Sequence, residues 1–245
     1  MIKASGLTDT GKTRNLNQDA IFISAEPIGP LPNLFIVADG MGGHKGGEIA
    51  SKFAIAYFTD YVRTAEDISS EDTLDLLTVA AKYANEEVLR QAELDPELSG
   101  MGTTFTACTI VLAEEYSKCN IIHIGDSRAY AITQGSVTQL TNDHSFVSEM
   151  MKAGQLSHSE AREHPKRNVL TRVLGPSLDM TADGYVYDIK QDRVILLCSD
   201  GLYNMLSEDE IRDLANNSDK PAEALIDAAN EKGGLDNISV VLVKI

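Results

Sequence analysis

Leu34-Phe35-Ile36-Val37-Ala38-Asp39-Gly40 runs five apolar, strand-forming residues straight into a carboxylate and a glycine. An unbroken apolar run of this length reads as a strand buried on both faces. Three more aspartates sit at the ends of such runs. Asp126 follows Ile121-Ile122-His123-Ile124-Gly125, Asp200 follows Val194-Ile195-Leu196-Leu197-Cys198-Ser199, and Asp236 precedes Ile238-Ser239-Val240-Val241-Leu242. Asp19, after Arg14, is placed to join them. A single Asp-Gly pair is an ordinary turn signal. Its repetition at Asp39-Gly40 and Asp200-Gly201, after equally apolar strands, points instead to carboxylates delivered to one sheet edge, where hard divalent cations take oxygen ligands. Without cations such a cluster repels itself and raises its own pKa values. Two Mg2+ or Mn2+ ions sharing Asp39 would clamp and acidify a water for attack on phosphorus.

Outward from Asp39 the periodicity changes. Ile49, Phe53, Tyr57 and Tyr61 recur every four residues, and Leu74, Leu77, Ala81, Ala84 and Val88 at three and four, which predicts two helices packed as a pair on one sheet. Strand patterns resume over 103–112, 120–124, 128–133 and 137–140, with links of hairpin length. Residues 143–175 are polar and helix-prone, carry His144, His158 and His164, and hold Ser157 and Glu160 at capping-box spacing. They are expected to lie as an insertion over one end of the sheets. Strands follow at 185–189 and 194–198. Ser207 and Glu210 form a second capping box, and a last helix at 221–231 stops at Gly233-Gly234 before a final strand at 238–245. Before residue 40 the signals are a turn at Asp9-Thr10-Gly11 and a strand at 20–24. The order is that of a layered α+β fold, and 245 residues suffice for a single domain spanning 1–245.

The formal charge of -16 repels nucleic acid and anionic membranes, so neither is expected as a partner. The three cysteines lie far apart in apolar runs with no CxxC pair, and read as reduced core residues of a cytoplasmic protein. No stretch approaches the roughly 20 apolar residues of a membrane span.

Arg14 can present its planar fork to two phosphate oxygens or form a surface salt bridge. The run Gly40-Met41-Gly42-Gly43-His44-Lys45-Gly46-Gly47 lacks the spacing of a nucleotide-binding phosphate loop. Its glycines let the chain pass close to a metal centre. His44 is either a proton donor to a leaving alkoxide or an ordinary helix-start histidine.

Taken in order, RNLNQD (14–19), DGMGGHKGG (39–47), GTT (102–104), GDSR (125–128), DHS (143–145), HP (164–165), LTRVLG (170–175), SDGL (199–202) and DNIS (236–239) resemble the bacterial metal-dependent type 2C Ser/Thr protein phosphatases. The resemblance spans essentially the whole chain. It implies a four-layer α-β-β-α sandwich of two antiparallel sheets flanked by helix pairs, with a flap at about 143–175. It further implies Asp39 bridging two metals, Asp200 and Asp236 on the first, the Gly40 carbonyl on the second, Asp19 acting through water, Arg14 on phosphate, and a weaker third ion between Asp126 and Asp200. Gln18 stands where many members have Glu, which implies weaker metal binding. Met41 stands where animal members have a histidine proposed as general acid.

The implied reaction is hydrolysis of phosphoserine and phosphothreonine in proteins by metal-activated water, opposing a eukaryotic-like Ser/Thr kinase, in a monomer. No cysteine sits in a motif suited to a phosphoenzyme. The flap, at +1 against -17 for the remainder, is the less acidic surface for a phosphorylated protein. A partner-switching phosphatase of a sigma-factor pathway and a non-catalytic phosphoprotein-binding pseudophosphatase are the competing readings. The second should have lost metal carboxylates, and none is missing.

Overall fold

A computed structural model describes residues 2–42, 46–66, 69, 72–190 and 192–245. Two antiparallel sheets form its centre. One runs β1 (Lys3–Asp9), β11 (Ile238–Lys244), β10 (Val194–Cys198), β7 (Arg128–Ile132) and β8 (Val137–Gln139) in that spatial order. The other runs β2 (Asp19–Ser24), β3 (Leu34–Met41), β5 (Phe105–Val111), β6 (Tyr116–Ile124) and β9 (Asp183–Lys190), with the short β4 (Gly102–Thr103) pairing the tip of β3.

Alternation along the strands assigns each apolar side chain to a layer. Phe35, Val37, Ile195, Leu197, Val241 and Val243 meet between the sheets. Leu34, Ile36 and Ala38 turn the other way, against α1 (Gly46–Thr64) and α2 (Thr73–Leu94). Leu196, Cys198, Val240 and Leu242 turn toward α6 (Glu208–Asn217) and α7 (Pro221–Glu231) on the opposite outer face. The result is the expected α-β-β-α sandwich. All three cysteine thiols are buried and unpaired.

Several expectations need adjusting. The fully buried stripe of α1 is Ala50, Ala54, Phe58 and Val62, one position beyond the residues named from the sequence. The alanines let the helix approach the sheet closely. Ile49, Phe53, Tyr57 and Tyr61 are the half-buried flank, where the Tyr61 ring meets Tyr83 of α2 at 5.2 Å. The edge strand β1 has no apolar run to announce it and alternates exposed with half-buried residues. The strand expected over 103–112 is broken at Thr104, whose N–H donates to the Asp39 carbonyl at 2.8 Å rather than continuing the ladder. Both capping boxes form, Ser157 with Glu160 and Ser207 with Glu210. Within the insertion α3 (Phe146–Lys152) and α4 (His158–Glu163) are short, and its two ends are joined by a bridge between Ser145 and Leu170.

His123, next to last in β6, is wholly buried, with Nδ1 against the Thr106 hydroxyl at 2.9 Å and Nε2 against the Asn142 carbonyl at 3.1 Å. Burial, aided by the neighbouring His144, pushes its pKa down to about 4. The unfolded imidazole titrates near 6.5, so the stability owed to the neutral ring is complete above that pH and is lost as pH falls toward 4. Relative to His123→Gln, the native chain should lose about 3 kcal/mol between pH 7 and pH 4 in urea unfolding. Parallel pH profiles for the two proteins would refute this.

Candidate functional site

Asp19 opens β2 and Asp39 lies near the close of the antiparallel β3, so the two face one another as register partners at one end of the sheet. The Asp39 backbone is fully engaged: its N–H donates to the Thr104 hydroxyl at 2.9 Å, and its carbonyl accepts from the Thr103 hydroxyl at 2.9 Å and from the Thr104 N–H. Gly40 follows at the strand tip, its N–H donating to the Gln18 carbonyl at 3.1 Å. Asp19 is 4 % exposed. Its Oδ2 accepts from the Ser199 hydroxyl at 2.7 Å, whereas Oδ1 is buried with no hydrogen-bond partner among the described residues.

Asp200 and Asp236 come from the other sheet. Asp200 opens the short helix α5 (Asp200–Tyr203) where β10 ends, a turn the sequence presented simply as a strand end. Gly201 lies so close to the start of β11 that a Cβ there would sit 2.0 Å from the Asn237 carbonyl oxygen. Asn237 is buried and uses its whole side chain. Its Oδ1 accepts from the Gln18 N–H at 2.8 Å, and its Nδ2 donates to the carbonyls of Thr10 at 2.9 Å and Leu16 at 3.0 Å. It thereby straps the loop carrying Arg14 and leading to Asp19 onto the Asp236 turn. Arg14, half-exposed, donates from Nη2 to Asp236 Oδ2 at 2.8 Å.

Asp126 occupies the turn between β6 and β7. Its carbonyl accepts from the Tyr203 hydroxyl at 3.0 Å, so α5 holds both Asp200 and the Asp126 backbone. The Arg128 guanidinium lies 3.6 Å from the centre of the Tyr203 ring and makes a two-pronged ion pair with Asp143.

These aspartates act on each other. Burial first, and then Asp19, Asp200, Asp126 and Asp236, push the Asp39 carboxyl well above the usual carboxylate range. Asp200 rises likewise, from burial and then from Asp126, Asp236 and Asp19, with Arg14 opposing. Asp126 is pushed up to about 7 by burial and Asp143, with Arg128 opposing, and Asp19 to about 6 mainly by burial. Two arginines do not neutralise this cluster. Among the described residues no three His, Cys, Asp or Glu groups converge into a ready coordination group. Mutually repelling carboxylates stand apart until something positive lies between them. The all-oxygen donor set, the surplus negative charge and the partnerless Asp19 Oδ1 fit hard divalent cations.

Arg14, Asp19, Asp39, Gly40, Asp126, Asp200 and Asp236 are thus gathered at one end of the sandwich. His44 falls outside the described residues. His144, at the incoming end of the flap, is buried against Gly125. Asn237 and Ser199 lay within quoted motifs, yet their roles as strap and carboxylate donor emerge only from contacts made across the chain. Tyr203, one residue beyond its motif, carried no signal.

The family model for protein phosphatase 2C matches residues 11–232. The protein phosphatase PhpP of Streptococcus pneumoniae serotype 2 is 38% identical over 248 aligned residues, covering 99% of this chain and 97% of its own. The serine/threonine phosphatase of S. agalactiae superposes with a TM-score of 0.90 at 34% identity over 100% of both chains. The catalytic domain of the phosphatase PstP, solved in complex with 2 manganese ions, gives a TM-score of 0.84 at 31% identity, covering 99% of this chain and 97% of that one.

Proposed function

Since the chain belongs to the protein phosphatase 2C family and is a Ser/Thr phosphatase, we propose that residues 1–245 form one catalytic domain that hydrolyses phosphoserine and phosphothreonine in proteins with the help of divalent metal. The observation that carries this reading is the cluster of Asp19, Asp39, Asp126, Asp200 and Asp236, whose surplus negative charge Arg14 and Arg128 oppose without neutralising. Asp39 would be shared by two Mn2+ or Mg2+ ions, with Asp200 and Asp236 on the first, the Gly40 carbonyl on the second, Asp19 acting through water, and Asp126 with Asp200 on a weaker third. Bound there, such ions lower the pKa of water and offset charge on phosphoryl oxygens.

The chain's own groups do the rest. Arg14 stands at the mouth, tied to Asp236 through one nitrogen, and a guanidinium so placed can turn its other N–H groups to two phosphoryl oxygens. Ser199 and the Asn237 strap fix Asp19 and the loop that carries Arg14, so the phosphate is received in a prepared geometry. His44 is assigned to protonate the departing serine or threonine alkoxide. The substrates are phosphoproteins, the protein acts as a cytoplasmic monomer, and it opposes a Ser/Thr kinase. The flap over 143–175 selects among substrates, with Arg162 and Arg167 exposed on it.

The test is phosphopeptide hydrolysis by the full chain, first stripped with EDTA and then given Mn2+ or Mg2+. Activity should disappear on stripping and return with either ion, with no phosphoenzyme trapped by acid quench. Turnover that survives complete stripping would defeat the metal-dependent reading.

A further inference from the structure

We infer that His144 is a positioning residue that locks the turn presenting Asp126 and, through Asp183, fastens that turn to both ends of the flap. Gly125 holds a φ of +104°, and a Cβ there would sit 2.6 Å from the Thr104 side chain. Such a turn needs outside support, and His144 supplies it twice. The Gly125 N–H donates to His144 Nδ1 at 3.1 Å, and the His144 N–H donates to the Gly125 carbonyl at 2.7 Å. With Nδ1 accepting, the neutral ring carries its proton on Nε2, which faces Asp183 Oδ2 at 3.1 Å. The other Asp183 oxygen receives Arg172 at 2.6 Å.

His144 belongs to the incoming end of the flap and Arg172 to the outgoing end, and Asp183 begins the edge strand β9. The two ends also pair directly, the Thr171 N–H donating to the His144 carbonyl at 2.9 Å and the Phe146 N–H to the Val169 carbonyl at 2.8 Å. The His144 imidazole therefore lies between the flap's anchor and the residue that precedes Asp126, beside the Arg128–Asp143 ion pair that also ties the flap to this turn. A shift of the flap base that turns the imidazole releases the Gly125 amide and with it the aim of the Asp126 carboxylate.

The consequence for metal rests on the reading of Asp126 as a ligand, whereas the lock itself does not, and two measurements separate them. Asparagine places an oxygen where His144 has Nδ1 but cannot reach Asp183; glutamine reaches Asp183 but offers no acceptor at the δ position. In metal-free full-length protein, hydrogen exchange at the Gly125 amide should accelerate at least about tenfold in His144→Gln and stay near wild type in His144→Asn. In Mn2+ calorimetry, Asp126→Ala should lose the weakest ion, and His144→Gln should weaken that ion by about tenfold or more while sparing the tighter pair, which also reports that the variant is folded. Unchanged Gly125 exchange in His144→Gln, or equal acceleration in both variants, overturns the lock. If Asp126→Ala leaves every Mn2+ bound, the ligand reading of Asp126 falls and the exchange result alone decides the role of His144.

Discussion

Asp39→Asn should abolish phosphopeptide turnover and at the same time make the metal-free protein more stable. The catalytic half follows from the proposed sharing of Asp39 by two ions. Loss of that bridge removes several kcal/mol of charge stabilisation, and about 4 kcal/mol corresponds to roughly a thousandfold in rate. The stability half follows from the carboxylate cluster alone. Burial and four neighbouring aspartates hold the Asp39 carboxyl well above its ordinary range, so the folded chain must either retain a proton there or carry a repelled charge.

The sign is fixed by linkage. A carboxyl raised in the folded state weakens folding as pH climbs above its unfolded value near 3.9. The gain from asparagine should therefore be absent near pH 4 and grow toward neutrality, where thermal unfolding in EDTA should shift up by a few degrees. Saturating Mn2+ should reverse the ranking, because only the native site has the full ligand set to draw stability from binding. A variant less stable than wild type in EDTA at neutral pH would show that Asp39 is not repelled in the empty site. A variant with substantial turnover would show that it bridges nothing.

Gly201→Ala should be severely damaging although glycine bears no functional group. Its Cβ would lie 2.0 Å from the Asn237 carbonyl oxygen and 3.0 Å from the Asn237 carbonyl carbon. Backbone meets backbone there, so no rotamer change can relieve the clash. Either α5 or the turn leading into β11 must move, and these carry Asp200 and Asp236. Overpacking of this kind costs about 1–3 kcal/mol, and a displacement of about 1 Å at a reacting centre is worth roughly a hundredfold in rate. Both effects should appear together, as a lowered urea midpoint and a phosphopeptide kcat/KM reduced about a hundredfold. Gly135→Ala, with nothing within 4 Å of the added methyl, is the control and should change stability by less than about 0.5 kcal/mol. Wild-type turnover in Gly201→Ala would mean that the two segments can separate without disturbing the carboxylates.

Features with a local cause were readable from the residues. The capping boxes are closed by side chains three residues apart, and the strands ending at Asp39, Asp126 and Asp200 are apolar on both faces because each lies between a helix layer and a second sheet. Features fixed by distant partners were not. The β1 segment KASGLTD becomes a strand because β11 offers it a full register of partners. The buried stripe of α1 is set by how closely its alanines let it approach β3, which periodicity registers only to within a residue. In the site, the aspartates were legible because carboxylates after apolar runs are chemically conspicuous. Asn237 and Tyr203 were not, since an asparagine or tyrosine is commonplace until its partner is known. Asn237 reaches Gln18 across 219 residues, and Tyr203 reaches Asp126 across 77.

The Asn237 strap has a bearing on how the protein is made. It joins a loop from the first twenty residues to the start of β11, and β11 lies between β1 and β10 in its sheet. A chain emerging from the ribosome holds Asp19 and Asp39 early, but it cannot close the first sheet or seat Arg14 against Asp236 until β11 has been synthesised. Phosphatase activity should therefore be absent from ribosome-bound chains that stop before residue 236 and should arise in one late step. The growing polypeptide is thereby kept from acting on phosphoproteins before its own fold is finished.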